Sequence, residues 1–183
     1  MVKKILAGQV LLILCCAFYL IWWYRGYRPG VSADRVGGLN GVLLLITAAL
    51  GITGMLCSLG SIDRKTALTL DPHRIVILGV ITYILLLLVT RFGFHRIVTT
   101  ELFLIVGWTT LELTVVNRLL AAGCLTDVGF RAMCAVIAAA FTISIVLYVV
   151  YYRMDEMKAF YAAMVPLVTE GVSMAVLIGL AAA

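Results

Sequence analysis

Two glutamates lie near the middle of apolar segments that are long enough to cross a membrane. Glu112 lies within residues 99–123, and Glu170 lies within residues 159–180. An acidic side chain at the centre of a bilayer costs about 2.5–3.5 kcal/mol on insertion scales, so such residues face the interior of a bundle. Two carboxyl groups that are close together at this depth cannot both ionise without a cation. The pair therefore predicts a site that binds a proton or a small cation.

Neighbouring side chains extend this candidate site. Trp108 precedes Glu112 by one helical turn, so its indole N–H can cap the carboxyl group or shield it from water. Hydroxyl oxygens are suitable ligands for a hard cation, and threonine and serine provide them near both glutamates. The candidate substrate- or ion-binding residues are Glu112, Glu170, Trp108, Thr109, Thr169, Ser173 and Asn117.

Pro166 lies four residues before Glu170 in the last apolar segment. Because proline has no backbone N–H, it cannot bond to the carbonyl of Ala162 and tends to kink a helix. We therefore predict a helix kink at Pro166, with freed carbonyl oxygens that can serve as further cation ligands.

The composition is that of a membrane protein. Of the 183 residues, 64% are hydrophobic and 13% are charged, and the mean hydropathy is +1.14. Soluble domains have about 45–50% apolar and about 25% charged residues. We predict an all-α, polytopic bundle of six transmembrane helices in one domain, residues 1–183, with the lipid bilayer as its surroundings. The predicted spans are residues 5–24, 39–62, 75–90, 99–123, 132–152 and 159–180.

The second span has small residues along one helical face. Thr47, Gly51, Gly54 and Ser58 follow one another at intervals of three or four residues. Small side chains allow a neighbouring backbone to approach closely in a membrane. This stripe predicts a tight contact with another helix.

The 14 basic and nine acidic residues give a net charge of +5, and all the basic residues except Arg118 lie before the first apolar segment or in the short gaps between segments. No basic tract of the kind that binds nucleic acid is present, so we expect no nucleic-acid partner. Counted with Arg118, which we expect to reach the interface by snorkelling, seven basic residues fall on each side of the membrane. This balance does not indicate which side of the protein faces the cytoplasm. It is compatible with an antiparallel homodimer, and a membrane-protein partner also stays open.

Known catalytic and metal-binding patterns are missing from the sequence. The five cysteines show no CxxC spacing, and neither HExxH nor GxSxG occurs. We expect no metal, no cofactor and no enzymatic activity, in a protein of the cytoplasmic membrane of a prokaryote.

Three functions remain in competition. The first is a small transporter or channel for a proton, a small cation or a small solute, which uses the buried glutamates. In the second, the glutamates pair with Asn117, Arg118, Tyr83 or hydroxyl groups and fix helix register in an accessory, assembly or sensor subunit. The third is an intramembrane enzyme acting on lipid headgroups. The first best explains two acids placed at similar depth on different helices.

Overall fold

The computed structural model describes residues 2–30, 38–59, 71–93 and 100–182, and the regular elements in these ranges are helical. Six spans are long and apolar enough to cross a membrane, with α6 and α7 together forming the sixth. The prediction of an all-α bundle of six transmembrane helices is confirmed, and the protein is an integral membrane protein. The predicted spans also included residues 60–62 and 99, which lie outside the described residues. The helices are α1 (Val2–Tyr27), α2 (Gly38–Leu59), α3 (Pro72–Leu88), α4 (Thr100–Ala121), α5 (Asp127–Val150), α6 (Glu156–Ala162) and α7 (Val165–Ala182).

Local sequence signals determine where two of the helices begin. Before α3, the side chain of Asp71 accepts a hydrogen bond of 3.0 Å from the backbone N–H of His73, and proline follows as the first helical residue. Before α5, the hydroxyl of Thr126 accepts a bond of 3.1 Å from the N–H of Gly129. In both cases the cap satisfies an N–H group that has no partner within the helix.

α4 is the central helix of the bundle. It is the most buried of the six spans and packs against α2, α3, α5 and α7. α1 packs against α2 and α7, and α5 packs against α7. Large apolar side chains on α2 and α3 remain exposed, as expected for helices that face lipid. This arrangement brings α1, α4 and α7 together around the two glutamates.

α1 and α2 pack so closely that glycine is required at the contact. A Cβ atom on Gly8 would lie 2.7 Å from the carbonyl oxygen of Gly54 and would also collide with the hydroxyl of Ser58. A Cβ atom on Gly54 would lie 2.8 Å from Cγ of Leu12. The predicted close packing of the small-residue stripe on α2 is therefore confirmed, and α1 is its partner.

The sixth span is interrupted, so the expectation of one kinked helix over residues 159–180 is corrected to two helices. α6 ends at Ala162 and α7 begins at Val165, because Pro166 provides no N–H to continue the ladder. In the turn between them, the N–H of Met164 bonds to the carbonyl of Tyr161 at 3.0 Å. The carbonyl of Phe160 instead accepts a bond of 3.4 Å from the indole N–H of Trp23 in α1.

Candidate functional site

Ser173 connects the two acid-bearing helices. Its hydroxyl on α7 donates a hydrogen bond of 2.6 Å to Oε1 of Glu112 on α4, and its Oγ also lies 2.9 Å from the backbone carbonyl oxygen of Glu170. Ser173 itself is fully buried. The 2.6 Å distance is in the range of bonds from a hydroxyl to a carboxylate.

The second carboxyl group lies in the same region. Glu170 is one helical turn before Ser173, and its carboxyl group is close enough to that of Glu112 to interact electrostatically. Cys16 of α1 belongs to one buried apolar cluster with Met174, the residue after Ser173 on α7. Glu112 is 1% exposed and Glu170 is 7% exposed, so water does not screen either charge effectively. The structure therefore brings the two acids together at the junction of α1, α4 and α7.

Several polar atoms at this junction have no hydrogen-bond partner. They are Oε2 of Glu112, Oε2 of Glu170 and Nε1 of Trp108, all buried. Trp108 packs against the apolar cluster of Leu12, Cys16 and Met174. Its indole N–H does not cap Glu112, so the first of the two alternatives for Trp108 is wrong. The second, that the ring shields the carboxyl group from water, stays a prediction.

Two other hydroxyls of the predicted set bond to their own helices. Thr109 donates a bond of 2.9 Å to the carbonyl of Ile105, and Thr169 donates a bond of 2.8 Å to the carbonyl of Pro166. Thr109 also lines a cavity of about 130 Å³ between α3, α4 and α5, together with Gly79 and Phe141. Thr109 therefore faces a different part of the bundle from the bond between Glu112 and Ser173.

Asn117 is also buried, at 1% exposure. It lies five residues beyond Glu112 on α4, which corresponds to about 7.5 Å along the helix and a rotation of about 140°. Asn117 therefore lies on another face of α4 and at another level of the bundle.

Arg118 lies in the last turn of α4 with its side chain against the end of α2, and the expectation that it reaches the interface by snorkelling stays a prediction. Its side chain is buried, and Nη1 donates bonds of 2.9 Å to the carbonyl oxygens of both Ser58 and Leu59. These are the last carbonyls of α2, which have no partner within their own helix. A cation is also favourable at this end of the helix dipole. The charge of Arg118 thus stabilises the end of α2.

Sequence reasoning missed the buried polar cluster formed by Arg118, Ser58 and Gln9. Gln9 of α1 is fully buried and donates a bond of 3.3 Å from Nε2 to the hydroxyl of Ser58. A signal was available, because α2 and α4 end on the same side of the membrane. A basic residue in the last turn of α4 is therefore level with the free carbonyls of α2.

Within the described ranges, no group of three or more His, Cys, Asp or Glu side chains is arranged to hold a metal ion. Comparison of the chain with protein-family models, with curated proteins and with solved structures gives no match. The chemistry of the site must therefore be inferred from its geometry.

The geometry keeps Glu112 hydrogen-bonded in both of its protonation states. The hydroxyl of Ser173 has one hydrogen and two acceptors within reach, Oε1 of Glu112 and the carbonyl of Glu170. When Glu112 is ionised, Ser173 donates to it. When Glu112 is protonated, its own O–H donates to Ser173, which then donates to the carbonyl of Glu170. A proton can thus be gained and lost with a small rearrangement of hydrogen atoms.

Proposed function

We propose that the protein is a small membrane transporter or channel in which Glu112 and Glu170 bind a transported proton. The observation that best supports the proposal is the bond between Ser173 and Glu112, with Glu170 one turn away on the same helix as Ser173. This bond joins two different helices at a buried acid pair. An acid pair between two helices can be exposed to either side of the membrane by a movement of one helix relative to the other.

The free-energy cost of burying the two carboxyl groups favours a functional role for them. Each buried carboxyl group retains one oxygen without a partner, so the surrounding protein does not fully compensate for its burial. Arg118 lies about 9 Å further along α4 than Glu112. Its guanidinium bonds to the backbone carbonyls at the end of α2. An ionisable pair that costs stability and has no full set of partners is typical of a proton or ion pathway in membrane proteins.

A second candidate is the accessory or assembly subunit without transport, because the same bond between Ser173 and Glu112 can fix the register of α4 and α7. Replacement of Glu112 by glutamine distinguishes the two candidate functions. The amide oxygen can still accept from Ser173, so a structural contact is largely kept, whereas a proton can no longer be exchanged.

The test is proton flux into liposomes that contain the purified protein and a trapped pH-sensitive dye, driven by a potassium diffusion potential. We expect the wild type to admit protons, and we expect Glu112→Gln and Glu170→Gln to abolish this flux. Glu156→Gln is the matched control, because Glu156 is an exposed acid in the first turn of α6. Folded glutamine variants that conduct protons like the wild type would contradict the proposal, and so would an inactive wild type.

The proposal includes a location in the cytoplasmic membrane of a prokaryote, where a proton gradient is available to drive transport. The antiparallel homodimer stays a prediction from the balanced distribution of basic residues. Crosslinking of the protein in native membranes would test it.

A further inference from the structure

Within the part of the chain that the structure describes, the hydroxyl of Ser144 in α5 is fully buried and has no hydrogen-bond partner. Serine and threonine in a helix can bond to a carbonyl of the preceding turn of their own backbone. Thr114 and Thr142 do so, each at 2.8 Å, whereas Ser144 does not. A buried polar group of this kind needs an explanation, and one explanation is a ligand.

The pairing of α5 with α7 places Ser144 level with Glu170. Ile137 of α5 and Leu177 of α7 belong to one buried cluster, and the two helices form consecutive, antiparallel spans. Ser144 lies seven residues after Ile137, and Glu170 lies seven residues before Leu177. Seven residues cover about 10.5 Å and fall about 20° short of two full turns, so both steps lead to the same depth and keep the same helical face.

The pairing of α5 with α4 leads to the same depth. Tyr148 of α5 and Ile105 of α4 belong to a second buried cluster. Ser144 lies one turn before Tyr148, and the same step along the antiparallel α4 goes from Ile105 to Thr109. Thr109 is three residues, or about 4.5 Å, from Glu112. Since α5 packs against α4 and α7, the buried side of Ser144 faces the two helices that carry the acids.

We propose that Ser144 holds a water molecule against the two carboxyl groups and that this water passes the proton between them, an inference that rests on the proposed function. Three buried oxygens at this depth have no partner, namely Oγ of Ser144, Oε2 of Glu112 and Oε2 of Glu170. A buried water molecule typically bonds to about three such groups. Trp108 is less suited to hold this water, because it packs in the cluster on the side of α1.

The proposed step conserves charge within the site. With one proton on the pair, the protonated carboxyl group donates to the water, and the water donates one hydrogen to the ionised carboxylate. The second hydrogen of the water bonds to Oγ of Ser144, which can accept or donate. The water takes the proton from the first carboxyl group and gives one of its own hydrogens to the second. Ser144 is therefore a positioning residue that keeps the water between the two acids.

The test is infrared spectroscopy of the purified full chain in lipid nanodiscs. The C=O stretch of a protonated carboxyl group moves to higher frequency when a hydrogen bond is lost, and the O–H stretch of a bound water moves when H₂¹⁸O replaces ordinary water. We expect the wild type to show a carboxyl band that Glu112→Gln or Glu170→Gln removes, and a band from strongly bonded water. Ser144→Ala should remove the water band, raise the carboxyl frequency and slow proton flux in liposomes about tenfold.

Thr142→Ala is the matched control, because it removes an exposed hydroxyl of α5 that bonds to its own helix. Both bands and the flux should remain as in the wild type. Ser144→Cys fills the same space with a weaker donor and should give an intermediate carboxyl frequency, which keeps the test open if the alanine variant does not fold. Bands that are unchanged in the Ser144 variants would overturn the inference, whatever their flux. A wild type without a carboxyl band that either glutamine variant removes would instead contradict the proposed proton site itself.

Discussion

Oγ of Ser173 lies 2.6 Å from Oε1 of Glu112, although the two residues are 61 positions apart in the chain. The contact joins α7 to the central helix α4 in the apolar interior of the bundle. It places a hydroxyl, which can donate or accept, between a buried carboxyl group and a backbone carbonyl of the neighbouring turn.

Replacement of Ser173 by alanine should therefore weaken the bundle and slow proton flux together. We expect a loss of about 1–2 kcal/mol in the free energy of unfolding, because side-chain hydrogen bonds in membranes contribute up to about 1.7 kcal/mol and those to charged groups contribute more. Unfolding in mixed micelles measures the stability, and the liposome assay measures the flux. Ser173→Thr keeps the hydroxyl and should retain most of both. An alanine variant with unchanged stability and flux would show that the bond has no role.

Gly8→Ala should weaken the packing of α1 against α2. The new methyl group would lie 2.7 Å from the carbonyl oxygen of Gly54, and a backbone atom in a helix cannot move aside cheaply. Overpacking of this kind costs about 1–3 kcal/mol, so we expect a lower thermal unfolding temperature in detergent.

The control for this change is Gly41→Ala in α2. A Cβ atom on Gly41 would meet nothing within 4 Å, so the substitution should leave stability unchanged or raise it slightly. Equal effects at the two positions would indicate that the close contact between the helices is not the cause.

Arg118→Gln should loosen the end of α2. Without the guanidinium, the carbonyls of Ser58 and Leu59 lose a charged donor, and such bonds contribute about 1.5–3 kcal/mol. We expect this loss in the free energy of unfolding, together with faster hydrogen exchange in the last turn of α2. Arg118→Lys should have a smaller effect because it keeps the charge.

Arg153→Gln is the control for the loss of a positive charge, since Arg153 is exposed in the turn after α5. It should change stability by less than about 0.5 kcal/mol. An Arg118→Gln variant whose last turn of α2 exchanges at the wild-type rate would contradict the role assigned to Arg118.

The six spans and the central position of the acids could be predicted because they depend on local properties. Length and hydropathy identify a membrane helix wherever it packs. The helical repeat likewise places Trp108 and Glu112 on one face without knowledge of the partner helix. The interruption at Ala163 was only partly predictable. Proline removes one backbone bond, but whether the helix bends or stops depends on how the freed carbonyls are satisfied, and here Trp23 supplies a donor.

The sequence by itself determined that this protein crosses the membrane six times with two acids deep in its spans. Only the tertiary structure decided that Ser173 bonds to Glu112, that Thr109 lines a cavity between α3, α4 and α5, and that Arg118 caps α2. The physical reason is that lipid tails are as apolar as a protein core. In a soluble helix the hydrophobic face identifies the interior, whereas in a membrane helix both the buried and the lipid-facing sides are apolar. The partners of the polar residues are therefore determined by the packing of the helices.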